Sequence, residues 1–281
     1  MIAVCPNPFR DNDLAVTKKI CSMLRDNGFE TVICPVFAES GTDVLPNGID
    51  VARLSDVISD CTLAIVVGGD GTMLYVARSV FDKGVPLLGV NLGTKGFMAA
   101  LEKEEIPLAV TAARGEARIS TRMMIDVSLL RNGKTVYRDC ALNDAVIHGY
   151  GECINITAWA DGDQITRFSG DGVIIATPTG STGYSMSAGG PIIEPDAENI
   201  IVNPICAHMM SARSFVLSPT RTVTVRTEKL HTRRAYLSVD GNSPVDVLNE
   251  DILVVTRSEH KILMANPGSR NFYEIVYTKL T

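Results

Sequence analysis

The chain has no apolar run approaching the ~18 residues of a membrane-spanning helix. Its opening residues, MIAVCPNPFRDND, lack the layout of a secretory signal. Seven cysteines (5, 21, 34, 61, 140, 153 and 206) are scattered, odd in number and never spaced as CxxC. That pattern argues against a disulfide framework and suits reduced thiols, so a cytoplasmic location is expected. Four histidines (148, 208, 231 and 260) show no paired spacing, which argues against a zinc site. Positive charge is also scarce. A net charge of −6 and a pI of 5.3 leave no basic excess for nucleic acid or an anionic membrane. Internal repeats and low-complexity linkers are absent. The composition, 46% hydrophobic and 21% charged over 281 residues, is that of a soluble globular protein long enough for two domains.

The hydrophobic period changes along the chain. Up to about residue 115, strand-like runs (IAVC, TVICPVF, TLAIVV, VPLLGVN) alternate with helical patterns. Val16, Ile20, Met23 and Leu24 make one helical face that stops at Gly28. Such alternation predicts a parallel sheet flanked by helices, with ligands bound beyond the carboxyl ends of strands. The loops after AIVV and LGVN should then share one crevice. From about Arg122 the period becomes two: MIDVSLL, TVYRDCAL, INITAWA, QITRF, RTVTVRT, AYLSVD and DILVVTR. Asn132-Gly133 is a hairpin signal, and DGD stands between INITAWA and QITRF. The expected fold is α/β plus β. A Rossmann-like α/β domain spans 1–115, joined by the tail 262–281, and an antiparallel β-rich domain spans 116–261. The tail carries a last strand-like piece, FYEIVYT.

Four stretches carry chemistry. In VVGGDGTMLYVAR, Gly68, Gly69 and Gly71 surround Asp70 between an apolar strand and a helix, with Thr72 placed as a possible N-cap. The string serves either as a plain tight turn or as a place where phosphate approaches bare backbone amides. FSGDGVIIATPTGSTGYSMSAGGP places Asp171 at a strand start, followed by a long loop rich in Gly, Ser and Thr. Its hydroxyls and amides suit ribose and phosphate oxygens, and so long a loop in a compact domain is usually functional. ALNDAVIH sets Asn143 and Asp144 among the apolar residues of a strand, where neither is favoured. They read either as a strand end or as an amide for an adenine edge beside a carboxylate for ribose hydroxyls. NPICAHMMSARSFVL holds His208 and Arg213 in apolar company, which fits a core histidine at least as well as a ligand-binding one.

Taken in order, NP, GGDGT, LGVNLGTKGF, LND, DGVIIATPTGSTGYSMSAGGPI, ICAHMMSAR and VDGN resemble the motifs of the NAD kinase family over nearly the whole chain. GGDGT recurs in lipid kinases and phosphofructokinases; the long TPTGSTGYSMSAGGP segment sets this family apart. The resemblance implies transfer of the ATP γ-phosphoryl group, aided by Mg²⁺, to the 2′-hydroxyl of the adenosine ribose of NAD. It implies Asp70 as proton acceptor, Gly68, Gly69 and Gly71 near phosphates, and Phe97 near the adenine. Asn143 and Asp144 would contact adenine and ribose, and Asp171 with the segment Thr182, Gly183, Tyr184 to Ser187 would hold the rest of the dinucleotide. Asn242 stands where the family commonly has glutamine, and His208 would reach a neighbouring subunit of a homodimer or homotetramer. The chain departs from the commoner family strings at Asp144, Ala207, GTKGF and TGY. No metal ligand is assigned. The chain lacks GxxxxGK[ST] and has no GxGxxG after its first strand, so neither a P-loop enzyme nor a dehydrogenase is expected. A lipid kinase sharing GGDGT, or a non-catalytic NAD(P) sensor, are the competing readings.

Overall fold

The computed structural model describes residues 1–37, 50–93, 96–209, 212–228, 230, 233–268 and 270–280. They fall into two compact units, Met1–Thr121 with Lys261–Thr281, and Arg122–His260.

In the first unit, strands β1 (Ile2–Pro6), β2 (Thr31–Ile33), β3 (Leu63–Gly68) and β4 (Leu87–Asn91) form a parallel sheet in the order β2-β1-β3-β4. Every residue of β3 is buried, as its unbroken apolar run requires of a strand covered on both faces. Helix α1 (Ala15–Asp26) buries Thr17, Ile20, Cys21 and Leu24 at helical spacing. Its first turn is secured by Asp11, whose carboxylate accepts the amides of Val16 and Thr17, each at 2.9 Å. A four-residue α2 (Leu54–Val57) precedes β3. Helix α3 (Asp70–Val80) follows it directly, and α4 (Ala109–Ala113) packs near α1.

Two expectations fail in this unit. The N-cap of α3 is Gly69, and Thr72 lies inside the helix with its side chain buried. The tail piece FYEIVYT is not a strand. Its aromatic and β-branched residues favour strands, but the chain here forms a helix over Phe272–Leu280. The local cause is a capping box. Asn271 Oδ1 accepts the Glu274 amide at 2.9 Å, and Glu274 Oε2 accepts the Asn271 amide at 3.1 Å.

The second unit is a pair of antiparallel sheets on one core. Its strands are β5 (Arg118–Arg131), β6 (Lys134–Ala141), β7 (Asp144–Gly149), β8 (Ile154–Ala160), β9 (Asp163–Gly170) and β10 (Gly172–Ala176). After these come β11 (Ile200–Ile205), β12 (Phe215–Leu217), β13 (Val223–Glu228), β14 (Ala235–Val239), β15 (Val245–Val247) and β16 (Ile252–Asn266). One sheet runs β16-β13-β8-β9, with β5 beside β16 and β6 beside β5; the other runs β12-β11-β10-β7-β14-β15. Asn132-Gly133 and Asp161-Gly162 both take positive φ, the hairpin turns that those sequences predict.

Strand β10 explains its own unbroken apolar sequence. Val173 and Ile175 enter the core between the sheets, while Ile174 and Ala176 face a second cluster covered by Ala188 and Ile193. We predict that Ile175→Ala, which opens a void in the inter-sheet core, lowers unfolding free energy by about 2–5 kcal/mol in urea titration. A loss under about 0.5 kcal/mol, the scale of an ordinary surface substitution, contradicts this placement.

Candidate active site

The glycine turn of the first unit is built around one carboxylate. Asp70 opens α3, and its two oxygens accept the amides of Phe97 at 2.9 Å and Met98 at 3.1 Å. The Leu92 amide donates to the Gly68 carbonyl at 2.8 Å. The segments following β3 and β4 are thereby tied together. Residues 94 and 95 of the GTKGF string lie outside the described residues. Gly96 leaves room for this closure, because a Cβ there would stand 3.1 Å from both Asp70 Oδ1 and Asn91 Oδ1, and both side chains would have to give by a few tenths of an ångström. Burial pushes the Asp70 carboxyl above its ordinary value, while the two amides and the charge of Lys279 pull it back.

The three glycines do different things. Gly68 is a packing position, since a Cβ there would come within 2.7 Å of the Thr72 side chain. Thr72 Oγ1 in turn accepts from Asn7 Nδ2 at 3.2 Å, and the Asn7 amide donates to Val67. At Gly69 and Gly71 a Cβ would meet nothing within 4 Å. The backbone is open there, at the mouth of an 11-residue helix whose first amides have no intrahelical acceptor.

In the second unit a different acid organises the backbone. Asp240 Oδ2 accepts the Leu142 amide at 2.8 Å, and Oδ1 accepts those of Asn143 and Asp144 at 2.8 and 3.0 Å. Asn143 and Asp144 lie at a strand end, one of the two readings their sequence allows. Leu142 and Asn143 form the bend between β6 and β7, and Asp144 opens β7. The bend is possible because Asp240 satisfies three amides that a ladder would otherwise have to pair. Asp240 itself sits at positive φ with Gly241 in the β14–β15 turn, which also carries Asn242.

The segment after β10 packs against this bend. It is not the structureless loop its composition suggests. Thr179–Thr182 form a 3₁₀ turn and Tyr184–Ser187 a short helix, α5. Thr177 donates through Oγ1 to the Leu142 carbonyl at 2.5 Å and through its amide to the Asn143 carbonyl at 2.8 Å. A Cβ on Gly180 would lie within 2.6 Å of the Asn143 carbonyl carbon, so only glycine fits. Ser181 Oγ fixes the Ile193 amide at 3.0 Å, and Ser185 is held by Asn203. Half of the hydroxyls therefore face inward and fold the loop, leaving Thr182 half-buried and Tyr184 and Ser187 exposed. Asn143 Oδ1 and Thr179 Oγ1 are buried without a protein partner, so hydrogen-bonding capacity is left unmet where the turn packs on the bend.

Burial, and then the nearby Asp240 charge, push the Asp144 carboxyl up to about 7. Asp171 lies at the opposite end of β10, between β9 and β10. Since Asp144 pairs with Ala176, strand rise separates the two acids by roughly 16 Å along the backbone. Tyr184 feels the charges of both. Asp171 Oδ1 accepts the Cys153 thiol at 3.5 Å, and Cys153 Sγ is 3.3 Å from His208 Nε2. His208 is exposed and anchored by its amide to Ser169, so the core reading of this histidine fails. Asp240, Asn7, Asn91 and Thr177 carry no role in the sequence analysis, although they lie inside the VDGN, NP, LGVN and DGVIIATPTGSTGYSMSAGGPI strings.

Known proteins share this layout. Residues 3–114 match the model of the ATP-NAD kinase N-terminal domain, and residues 142–266 that of the ATP-NAD kinase C-terminal domain. An NAD kinase of Ruminiclostridium cellulolyticum is 32% identical over 282 residues, covering 99% of this chain and 97% of that protein. One from Acetivibrio thermocellus is 34% identical over 284 residues, covering 99% and 96%. The fold matches yeast NADH kinase complexed with NADH at a TM-score of 0.84, with 24% identity and coverage of 99% of this chain and 86% of that one. It also matches an Archaeoglobus fulgidus NAD kinase in complex with ATP at a TM-score of 0.73, with 24% identity and 99% coverage of both. The chain belongs to the ATP-NAD kinase family.

The raised Asp144 carboxyl has a measurable sign. Between the unfolded value of about 3.9 and about 7, the folded chain holds a proton that the unfolded chain has released. The stability this proton supplies is complete below the unfolded value and is lost as pH rises through about 7. We predict a carboxyl ¹³C midpoint near 7 for Asp144, falling in Asp240→Asn. A wild-type midpoint at the ordinary value of about 4 contradicts the assignment.

Proposed function

We propose that this chain, an NAD kinase by family, joins the γ-phosphoryl group of ATP to the 2′-hydroxyl of the adenosine ribose of NAD, giving NADP and ADP. The observation that carries the reading is Asp70, a half-buried carboxylate fixed by two amides beside the open backbone of Gly69 and Gly71. A ribose hydroxyl attacks phosphorus well only as its proton leaves, and Asp70 is the acid at hand to take it. Each carboxylate oxygen has a lone pair beyond the one its amide uses, so proton acceptance does not require breaking the turn. The new O2′–P bond forms as the bond from the γ-phosphorus to the β,γ-bridging oxygen breaks, and the amides opening α3 face the transferring phosphate.

In the second unit we assign the adenosine part of NAD to Asn143 and Asp144, and the rest of the dinucleotide to Thr182, Gly183, Tyr184, Ser187 and Asp171. Phe97, Thr72, Asn242 and His208 complete the set, with Thr72 acting by holding Asn7 rather than by capping. The span of roughly 16 Å between Asp144 and Asp171 suits a dinucleotide better than a mononucleotide. Mg²⁺, when bound on the ATP phosphates, supplies charge neutralisation. Among the described residues no three acid, histidine or cysteine side chains are grouped for a metal. A cation carried by substrate oxygens and water does not need such a cage, and we assign it no ligand in the chain. A cytoplasmic homodimer or homotetramer is part of this reading.

Incubation with ATP, Mg²⁺ and NAD should yield NADP. Absence of NADP under those conditions would overturn the reading. Asn143→Ala should raise the KM for NAD by an amount worth about 1–3 kcal/mol, the cost of an unpaired partner. Unchanged NAD kinetics in that variant would remove the bend from the site.

A further inference from the structure

The carboxyl-terminal helix, α6 (Phe272–Leu280), is held in an unusual way. None of its residues is buried, although its sequence is largely aromatic and aliphatic. Its anchors are polar. Arg270, just before it, pairs with Glu105 and donates to the Ala100 carbonyl at 3.4 Å. Near its other end, Lys279 Nζ donates to Glu102 Oε1 at 3.2 Å, and the lysine side chain is only 13% exposed. Burying an ammonium is costly, and one surface-type ion pair does not repay much of that cost.

The position of Glu102 suggests what the lysine is for. Glu102 also accepts from Asn91 Nδ2, at 3.0 and 3.3 Å. Asn91 Oδ1 and Asp70 Oδ1 converge on Gly96, each 3.1 Å from where its Cβ would stand. Contacts therefore run from Lys279 through Glu102 to Asn91, whose Oδ1 flanks Gly96 on one side as Asp70 Oδ1 does on another. That turn needs a cation. Phosphoryl transfer gathers negative charge, and the string from Gly68 to Thr72 contains one acid and no base.

We propose that Lys279 is a positioning residue of the phosphoryl-transfer site, a fixed cation that offsets negative charge at Asp70 and the glycine turn. This rests on the reading of Asp70 given above. The charge that acts on Asp70 is that of Lys279 from α6; its partner Glu102, from the segment after β4, is shared with Arg270, whose Nη1 lies 3.8 Å from the same Oε1, and Arg270 also pairs with Glu105. The Lys279 charge lowers the Asp70 carboxyl. Removing it must raise that carboxyl, and the acid limb of kcat moves to higher pH with it. A lysine that only fastened the helix would change melting temperature and leave both titrations where they were.

The test uses the full chain with Lys279→Gln, Lys279→Arg and Glu102→Gln, reading kcat against pH, KM for NAD, melting temperature and the Asp70 carboxyl ¹³C titration. Lys279→Gln should lower kcat about tenfold, with KM for NAD within about twofold, and raise the Asp70 midpoint. Lys279→Arg should restore most of kcat. Glu102→Gln, which strips the lysine of its counter-charge, should lower the Asp70 midpoint, an opposite shift that needs no lysine variant to fold. An Asp70 midpoint unmoved in both Lys279→Gln and Glu102→Gln, or a pH profile unmoved in Lys279→Gln, overturns the proposal while leaving NAD kinase activity intact. A wild-type chain that makes no NADP sinks the activity instead, and the Asp70 midpoints then decide the role of the lysine by themselves.

Discussion

Two backbone amides, from Phe97 and Met98, close on the two oxygens of Asp70. Much of the first unit's functional architecture depends on this one clasp. It fixes the side chain at the start of α3 and ties the segment after β4 to the segment after β3. It is eased by glycine at position 96, where a Cβ would crowd Asp70 and Asn91 at 3.1 Å. A carboxylate half-removed from water is costly unless hydrogen bonds replace the solvent. Here they do so while leaving lone pairs for a proton. The acid is thus held rigidly in place before any substrate arrives, as positioned proton transfer demands.

The second unit repeats the device with a different purpose. Asp240 takes three successive amides, and this lets the chain bend at Leu142 and Asn143 without orphaning its backbone. The charge used for that bend is also felt by Asp144, whose carboxyl burial and then Asp240 hold at about 7. One acid shapes the backbone and a second is left poised between protonation states. Thr177 and Gly180 pack directly on the bend, and two buried oxygens, on Asn143 and Thr179, find no protein partner there.

What was legible in the sequence follows the physics of period and turn chemistry. Continuous apolar runs such as TLAIVV and GVIIA became strands buried on both faces, and Asn132-Gly133 became a hairpin turn because both residues tolerate positive φ. FYEIVYT was misread because propensity pointed to a strand, whereas an Asn271–Glu274 capping box and ionic anchors at Arg270 and Lys279 made it a helix. The Ser/Thr-rich segment after β10 looked like an open loop, since nothing in composition separates inward hydroxyls that fold a turn from outward ones that meet solvent. The role of Asp240 was invisible for a related reason. Its partners are backbone amides nearly a hundred residues away, and amides leave no mark in a sequence. Lys279 was out of view because it reaches Glu102 from the far end of the chain.

Asp70→Asn tests the proton-acceptor role most directly, because asparagine keeps the shape of the side chain but cannot take the proton; it accepts only one of the two clasp amides, so the fold is checked alongside activity. NADP formation, NAD affinity by calorimetry and melting temperature should be measured together. With the fold intact, turnover should drop by about 10²–10⁴ while NAD affinity stays within about twofold, since the assigned adenine and ribose contacts are made by other residues. Turnover within about threefold of wild type, a change of only ~0.7 kcal/mol in barrier, would contradict the role assigned to Asp70.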